Sequence, residues 1–274
     1  MNVSIEREQK QACLNSAECE KGGMKSNVSI EREQKQACLS SAECEKGGMK
    51  SNSLPELIVM LTWHDYTVEN ASEIFEECKD TQAKYWGMKE HPLSTDKMRQ
   101  LFLRMKECGK TTFLETVAYS EAEGLEGARI AADCCCDILM GTHYFDSIRD
   151  FCNNHGMRYM PFVGDVTGRP SILKGSTDDI IAEAKDILAR GVYGIDLLGY
   201  RHVDNPVALN NALVRALKSP VCIAGSIDSY ARLDEVRAAS PWAFTIGSAF
   251  FEKKFGESFP EQINNVCNYI SKVI

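Results

Sequence analysis

The feature that most constrains the fold is a regular alternation of short apolar runs with amphipathic stretches from residue 57 to the end of the chain. The runs are about five residues long and the stretches between them roughly a dozen, which is the pattern of repeated βα units. Eight runs are candidate strands: 58–62, 83–88, 111–116, 138–141, 159–163, 194–198, 221–224 and 243–246. We therefore expect a parallel sheet that is covered by helices.

The same pattern predicts how the sheet is arranged. Eight βα units in about 220 residues, at positions 52–274, fit one closed barrel better than two smaller domains. The last two runs each end in a glycine-serine pair, Gly225-Ser226 and Gly247-Ser248. In a (β/α)8 barrel the loops after strands seven and eight form the usual phosphate site, and an open doubly wound sheet, the alternative, does not explain this pairing.

Capping residues predict where the helices begin and end. Six of the amphipathic stretches follow residues with capping chemistry: Thr67, Ser94 or Thr95, Ser120 with Glu123 as a capping box, Ser176 or Thr177, Asn205 before Pro206, and Asp228. Gly109 and Gly191 follow two of the stretches, at the position where a helix end favours glycine. These signals place a helix after each of these strand candidates, as βα units require.

Residues 1–51 differ from the rest of the chain. Residues 2–26 recur at residues 27–51 with one change, Asn15 to Ser40, and each copy contains four acidic and four basic residues. Two copies are too few for a solenoid, and their apolar positions are too sparse for a helix that packs on a core. We interpret them as a duplicated leader, weakly helical or disordered, in preference to a docking helix for a protein partner. The predicted fold class is α/β, a single (β/α)8 TIM barrel with an N-terminal tandem repeat extension.

Composition and charge exclude several classes of protein. No apolar run approaches the ~20 residues that span a membrane, and there is no secretory signal, so we expect a cytoplasmic protein without a membrane partner. The formal net charge of −8, without a basic patch, argues against nucleic acid as a partner. The twelve cysteines lack the paired spacing of a zinc site, so we predict no metal and no cofactor. A homo-oligomer is compatible with the sequence.

The two glycine-serine pairs predict an anion site. Glycine lets the backbone approach an anion closely, and the free N–H groups at the start of a helix bind it. We expect four residues to bind the phosphate of a small-molecule substrate: Gly225, Ser226, Gly247 and Ser248. Arg201 and His64, which follow strands six and one, are further candidates for substrate contact, with an exposed salt bridge and a rim histidine as the alternatives.

Ionisable residues follow the predicted strands at their C-terminal ends, where (β/α)8 barrels have their active sites. Lys89 follows strand two, and Glu115 interrupts the apolar run of strand three, so its carboxylate needs a partner. We expect the two side chains to meet in the barrel mouth and to transfer protons beside a carbonyl group, with a Schiff-base amine at Lys89 and a structural salt bridge as the alternatives. Three more carboxylates are catalytic candidates: Asp65, Asp165 and Asp196. Asp196 serves the site only if it points into the barrel.

The segments AGSIDSYARL and FTIGSAFFEKKF resemble the phosphate-binding TIM barrels, which include isomerases of histidine and tryptophan biosynthesis and N-acylmannosamine-6-phosphate 2-epimerase. The resemblance to the epimerase family implies a catalytic lysine after strand two, an aspartate on strand five and a Gly-Tyr pair after strand six. Lys89, Asp165 and Gly199-Tyr200 match these positions. The family has a glutamate on strand seven where this chain has Gly225, so the resemblance does not imply the same proton exchange.

A second resemblance covers the whole barrel. The segments WHDYTVENA, GKTTFLE, GIDLLGYR and IGSAFFEKKF are similar to those of uncharacterised bacterial barrels labelled quinolinate phosphoribosyltransferase-like, which implies a phosphoribosyl ligand. Together the residues predict an isomerase, epimerase or lyase that acts on a small phosphorylated sugar or keto acid by proton transfer next to a carbonyl group. The alternatives are a phosphoribosyltransferase-like enzyme and a non-catalytic barrel whose extension docks a partner.

Overall fold

The computed structural model describes residues 54–272, which contain a parallel sheet of eight strands. The strands are β1 (Glu56–Met60), β2 (Tyr85–Lys89), β3 (Thr111–Ala118), β4 (Ile138–Thr142), β5 (Arg158–Met160), β6 (Ile195–Leu197), β7 (Val221–Ile223) and β8 (Ala243–Ile246). All eight predicted strands are present, with ends that differ by a few residues. The predicted repeat extension, residues 1–51, lies outside the described residues, so its boundary with the barrel stays a prediction.

The sheet curls into a nearly closed barrel. Neighbouring strands follow the order β6-β7-β8-β1-β2-β3-β4-β5, so that β1 lies between β8 and β2. The two ends of this order meet at a single bridge between Phe162 and Asp196, where the Asp196 N–H donates to the carbonyl of Pro161 at 2.9 Å. The prediction of a (β/α)8 barrel is confirmed.

Each strand is followed by at least one helix. The α-helices are α1 (Ala71–Cys78), α2 (Thr95–Glu107), α3 (Glu121–Asp133), α4 (Asp146–Asn154), α5 (Thr177–Ala189), α6 (Pro206–Ala216), α7 (Tyr230–Ala239), α8 (Ser248–Phe251) and α9 (Phe259–Ser271). A 3₁₀ turn, Gly199–Arg201, comes directly after β6. Within residues 54–272, no helix combines the length and the apolar content that crossing a bilayer requires.

Most of the capping predictions are confirmed. Four predicted N-caps accept a hydrogen bond from a backbone N–H of the first turn: Ser94, Ser120, Ser176 and Asn205. Glu123 completes the capping box by binding back to the N–H of Ser120. Gly109 and Gly191 end α2 and α5 with φ of +71° and +89°, in the left-handed region that favours glycine. Local hydrogen bonds therefore set these helix boundaries.

Two capping predictions are wrong. α1 begins after Asn70, whereas Thr67 lies in a β-hairpin, where its hydroxyl binds the backbone of Lys89. α7 begins after Ser229, whose hydroxyl accepts a first-turn N–H, whereas Asp228 lies one residue earlier and lines the mouth of the barrel. Both residues have capping chemistry, but Thr67 makes a tertiary hydrogen bond and Asp228 lines the mouth of the barrel instead.

Apolar side chains fill the barrel interior at the N-terminal ends of the strands. Inward-facing apolar side chains form one cluster: Ile58, Met60, Phe113, Ile138, Met140, Met160, Cys222 and Ala243. At the N-terminal end the ring of Tyr85 packs edge-on against Phe113 at 5.7 Å and at a tilt of 54° against Trp242 at 5.6 Å. The outward-facing strand residues pack against the helices in a second, larger cluster. Because the N-terminal end is filled, a cavity can form only at the opposite end.

Two short hairpins stand at the C-terminal ends of the strands. The first joins Thr62–Trp63 to Tyr66–Thr67 after β1, and the second joins Asp165–Thr167 to Ile172–Lys174 after β5. The guanidinium of Arg169, in the second hairpin, lies 5.7 Å from the centre of the Tyr66 ring in the first. The hairpins therefore meet above the strand ends, and each supplies residues to the mouth.

Candidate active site

A polar cavity of about 220 Å³ opens at the C-terminal end of the barrel. This is the end at which (β/α)8 enzymes have their active sites. Its charged lining residues are Asp65, Lys89, Glu115, Arg201, Asp228 and Glu252. The four residues of the glycine-serine pairs also line it. One cavity thus contains most of the residues that the sequence singled out.

Lys89 ends β2, and its side chain is held between two carboxylates. Its Nζ lies 2.5 Å from Oδ1 of Asp65 and 3.2 Å from Oε1 of Glu115. Lys89 and Glu115 are register partners on β2 and β3, so their side chains leave the sheet on the same face. Both are largely buried, with exposures of 6% and 8%. The expected contact is present, and Asp65 is a second partner.

The two carboxylates determine the charge of Lys89. Burial alone lowers the pKa of the amine because it removes water from the charged form, but Glu115 and then Asp65 stabilise the ammonium, and the net pKa is raised above its ordinary value. Lys89 is therefore an ammonium ion at neutral pH. The free amine that forms a Schiff base is not the resting state of this side chain.

The first hairpin brings Asp65 to Lys89 through a tight turn. His64 and Asp65 are the two central residues of that turn, with φ of +48° and +72°, a region that costs non-glycine residues energy. The hydroxyl of Thr67 accepts from the N–H of Lys89 and donates to its carbonyl, both at 2.8 Å. The hairpin therefore binds both the backbone and the ammonium of Lys89. A strained turn that places a carboxylate beside a buried lysine is typical of a functional site.

The two glycine-serine loops also line the cavity. Gly225 and Ser226 turn the chain after β7 with φ of +87° and +47°. Gly247 precedes the single-turn helix α8, and the hydroxyl of Ser248 accepts from the N–H of His64 at 3.2 Å. The eighth loop is therefore bonded to the first hairpin. It also lies close against it, because a Cβ at position 247 would stand 2.5 Å from the Thr62 Oγ1.

Arg201 lies across the seventh loop. A Cβ at Gly225 would stand 2.6 Å from the Arg201 Cγ, so the glycine makes room for this side chain. Its Nη1 donates to the carbonyl of Ser171 at 3.4 Å, and its buried Nε has no hydrogen-bond partner among residues 54–272. No carboxylate in that range forms an ion pair with Arg201. The guanidinium is thus a cation with unused donors beside the cavity, and it does not form the exposed salt bridge considered above.

Asp196 faces the barrel interior. Its neighbours on β6, Ile195 and Leu197, pack against the helices, so the alternation of the strand directs Asp196 inward. The residue is fully buried and does not line the cavity. The charges of Glu115 and Lys89 nevertheless act on it. It belongs to the same cluster of ionisable groups, on the closed side of the cavity.

Three residues named from the sequence lie away from the cavity. Asp165 is exposed at the start of the second hairpin, and the ring of His64 is exposed and stacks on Trp63 at 4.7 Å. The hydroxyl of Tyr200 donates to the carbonyl of Arg232 at 3.4 Å, towards α7. Sequence reasoning placed these residues at the mouth because each follows a strand closely. The hairpins and the 3₁₀ turn carry their side chains elsewhere.

Sequence reasoning missed an arginine of the second hairpin. Arg169 donates to Oε1 of Glu90 at 2.8 Å and lies 3.9 Å from Oδ2 of Asp65. The hairpin is held in place by Tyr119, whose hydroxyl lies 2.8 Å from the hydroxyl of Ser171. The Gly-Arg-Pro turn at 168–170 was the available signal, but it does not reveal that this turn folds over the end of β2.

The described residues contain no cluster of side chains suited to bind a metal ion. No group of three or more His, Cys, Asp or Glu side chains within residues 54–272 is arranged to hold a metal ion. Burial raises the pKa of the Cys134 and Cys136 thiols to about 12. These thiols therefore stay protonated at neutral pH and are poor nucleophiles and poor metal ligands.

Two exposed carboxylates on the rim should weaken anion binding. Asp228 and Glu252 line the cavity beside the glycine-serine loops. We expect Asp228→Asn and Glu252→Gln each to tighten sulfate binding by about two- to fivefold at low salt, because each removes a screened repulsion. Isothermal titration calorimetry measures the affinity, with Glu126→Gln on α3 as the control. Weaker binding in the rim variants would mean that these carboxylates hold a cation or a hydroxyl group.

Three solved structures have the same fold. Orotidine 5′-phosphate decarboxylase from Pyrococcus horikoshii OT3 has a TM-score of 0.59 at 13% identity, over 79% of this chain and 100% of that chain. The native KDPGal structure has a TM-score of 0.58 at 13% identity, over 81% and 97%. N-acetylmannosamine-6-phosphate 2-epimerase from Clostridium perfringens has a TM-score of 0.55 at 11% identity, over 75% and 93%.

These similarities establish the class of fold. At such low identities they show a (β/α)8 barrel, and the resemblance to phosphate-binding TIM barrels is confirmed at that level. An N-acylmannosamine-6-phosphate epimerase, the type of enzyme to which the sequence motifs pointed, is among the similar structures. No family model and no curated protein matches the chain.

Proposed function

We propose that this chain is an enzyme that moves a proton next to a carbonyl group of a small phosphorylated sugar or keto acid, as an isomerase, an epimerase or a lyase. The observation that carries the proposal is the ammonium of Lys89, flanked by two carboxylates in a cavity that also contains the glycine-serine loops. Two of the similar structures are named for phosphorylated compounds, orotidine 5′-phosphate and N-acetylmannosamine-6-phosphate, which supports a substrate of this kind.

The phosphate of the substrate would bind at the seventh and eighth loops. The backbone turns at Gly225 and Gly247 allow an anion to approach the N–H groups closely. The Nε of Arg201 has no hydrogen-bond partner within residues 54–272, and a guanidinium donates two parallel hydrogen bonds to phosphate. Ser226 and Ser248 also line the cavity and supply hydroxyl groups. Phosphate binding at these loops would leave the reactive end of the substrate facing Lys89.

Lys89 and its two partners would then carry out the chemistry. The ammonium donates a hydrogen bond to the carbonyl oxygen and stabilises the negative charge that develops there when the neighbouring carbon loses its proton. Glu115 or Asp65 accepts that proton. In an isomerase the proton returns to the former carbonyl carbon, the neighbouring hydroxyl group loses its proton to become the new carbonyl group, and the former carbonyl oxygen gains a proton. In an epimerase a proton returns to the same carbon from the opposite face. In a lyase the carboxylate takes a hydroxyl proton, the adjacent carbon–carbon bond breaks, and its electrons move to the carbonyl group.

A thermal-shift panel of sugar phosphates, phosphorylated keto acids and phosphoribosyl compounds is the first test. A ligand at ~100-fold its dissociation constant adds about 2.7 kcal/mol to the free energy of unfolding, which is readily detected. Each stabilising compound is then incubated with the protein in deuterium oxide, and loss of its carbon-bound protons is followed by NMR. Exchange supports the proposal. Stabilisation without exchange favours a binding module, and stabilisation by phosphoribosyl diphosphate alone favours a transferase.

Borohydride trapping separates two uses of the lysine. Because its carboxylate neighbours raise the pKa of Lys89, the side chain is charged at neutral pH, and we expect no covalent adduct with a carbonyl ligand in the presence of borohydride. Intact-protein mass spectrometry measures the outcome. An added ligand mass that peptide mapping assigns to Lys89 would show that the side chain reacts as an amine, and the role of a proton donor would have to be given up.

A further inference from the structure

Asp196 is a carboxyl group without solvent contact and, in the described part of the chain, without a hydrogen-bond partner. Its exposure is 0%, and neither oxygen has a hydrogen-bond partner among residues 54–272. Its register neighbour on β7 is Cys222, and the charged groups that act on it are Glu115 on β3 and Lys89 on β2. A buried carboxylate that lacks any partner is far more costly than a buried carboxylic acid, so this site favours the protonated form.

The surroundings of Asp196 decide which group of the cluster holds the proton. Burial raises the pKa of Asp196 well above its usual range, the charge of Glu115 raises it further, and Lys89 opposes both. Burial likewise raises the pKa of the Cys222 thiol, so that group is neutral. Glu115 touches the ammonium of Lys89 at 3.2 Å, a contact that Asp196 lacks. Of the two carboxyl groups, Asp196 is therefore the one that keeps a proton.

We propose that Asp196 is a positioning residue, a neutral carboxylic acid at the closed side of the cavity whose proton keeps Glu115 ionised against Lys89. Asp196 does not line the cavity, so it acts through the pair and not on the substrate. Two ionised carboxylates in one buried cluster repel each other until one takes up a proton. Because Asp196 holds that proton, Glu115 remains free to accept one. The inference rests on the proposed function in one respect, which is that the chemistry is assigned to Lys89 and Glu115.

The pH dependence of stability tests whether Asp196 is neutral. The unfolded chain releases this proton near pH ~3.9, whereas the folded chain keeps it to a higher pH. The folded wild type therefore loses stability as the pH rises from the pKa of the unfolded carboxyl group to that of the folded one. Asp196→Asn removes this titration. We expect the folding equilibrium constant of Asp196→Asn relative to wild type to rise about tenfold per pH unit from about pH 4 until the folded carboxyl group titrates. Urea denaturation at several pH values measures it. The exposed Asp165→Asn is the control, and a ratio for Asp196→Asn that does not change with pH overturns the proposal.

Carbon NMR of labelled aspartate carboxyl groups tests the coupling to the pair. At neutral pH one signal should have the shift of a protonated carboxyl group, and it should be absent from Asp196→Asn. Glu115→Gln removes the repelling charge and leaves Lys89 in place, so Asp196 should titrate at least about one pH unit lower, a tenfold change in its acid constant. A carboxylate shift at neutral pH, or an unchanged midpoint in Glu115→Gln, overturns the positioning role.

These measurements need no substrate, so they distinguish the two proposals. Coupling of Asp196 to Glu115 in a protein that exchanges no carbon-bound proton would support the charge arrangement and count against the proposed function. Proton exchange in a protein whose Asp196 is a carboxylate would support the proposed function and count against the charge arrangement. Each result therefore decides one proposal without relying on the other.

Discussion

Replacement of Lys89 by methionine should slow exchange of the substrate's carbon-bound proton by about 10²- to 10⁴-fold. Methionine occupies a similar space but places no positive charge beside the carbonyl oxygen. The rate of deuterium incorporation into a ligand from the stability panel measures the effect. Lys110→Met is the matched control, because Lys110 is half-buried and donates to the carbonyls of Thr81 and Ala83 at the other end of the barrel. Its loss should leave the rate unchanged.

A second variant, Glu115→Gln, tests the same pair if Lys89→Met does not fold. Removing one partner of a buried ion pair costs roughly 3–5 kcal/mol, and Asp65 and Glu115 would be left without their shared ammonium. Glu115→Gln keeps the contact between Lys89 and Asp65 at 2.5 Å, so this variant should fold. It should also lose most of the exchange rate, because an amide does not accept the proton. Wild-type rates in both folded variants would remove the pair from the active site and leave Asp65 as the carboxylate of the cavity to examine.

Replacement of Arg201 by glutamine should weaken the binding of a phosphorylated ligand by about 10- to 100-fold. Hydrogen bonds to a charged partner are among the stronger ones, and the buried Nε of Arg201 is available for one. Glutamine is shorter and neutral, so it restores neither the charge nor the paired donors. Isothermal titration with the phosphorylated ligand and with its dephosphorylated form measures the effect, and only the phosphorylated form should respond.

Arg158→Gln is the control for this experiment. Arg158 begins β5 at the N-terminal end of the barrel, where its guanidinium lies 4.9 Å from the centre of the Tyr193 ring. The substitution removes an arginine and its ring contact far from the cavity. Equal losses of affinity in Arg201→Gln and Arg158→Gln would indicate a general effect of net charge. An unchanged affinity in Arg201→Gln would remove this residue from the anion site.

The barrel could be predicted because its signals are local. A strand of a buried parallel sheet is an apolar run in the sequence, and a helix that follows it is marked by a cap within one turn. Ser94, Ser120 and Asn205 bind N–H groups only three residues away, so their roles follow from the sequence around them. Thr67 and Asp228 have the same chemistry, but Thr67 binds Lys89 and Asp228 lies at the mouth. Such roles depend on which segment of the chain lies nearby.

The site could be predicted only where strand order was enough. Lys89 and Glu115 end adjacent strands of one sheet, so their contact followed from the fold class. The contact of Asp65 with Lys89 depends on a two-residue turn with positive φ at both positions. Arg169 reaches Glu90 across 79 positions of the sequence, through a hairpin whose direction no local pattern reveals.

The sequence by itself determined the number of strands, their parallel arrangement, the end of the barrel that is open and the two glycine-serine loops, because these follow from periodicity and short-range hydrogen bonds. The tertiary structure alone decided that the side chains of Asp165 and His64 stay outside the cavity, that Arg201 has no ion-pair partner among residues 54–272, and that Asp196 is buried without one. The physical reason is that charge states and side-chain partners depend on burial and on distances between residues far apart in the chain. Only the folded barrel sets those distances.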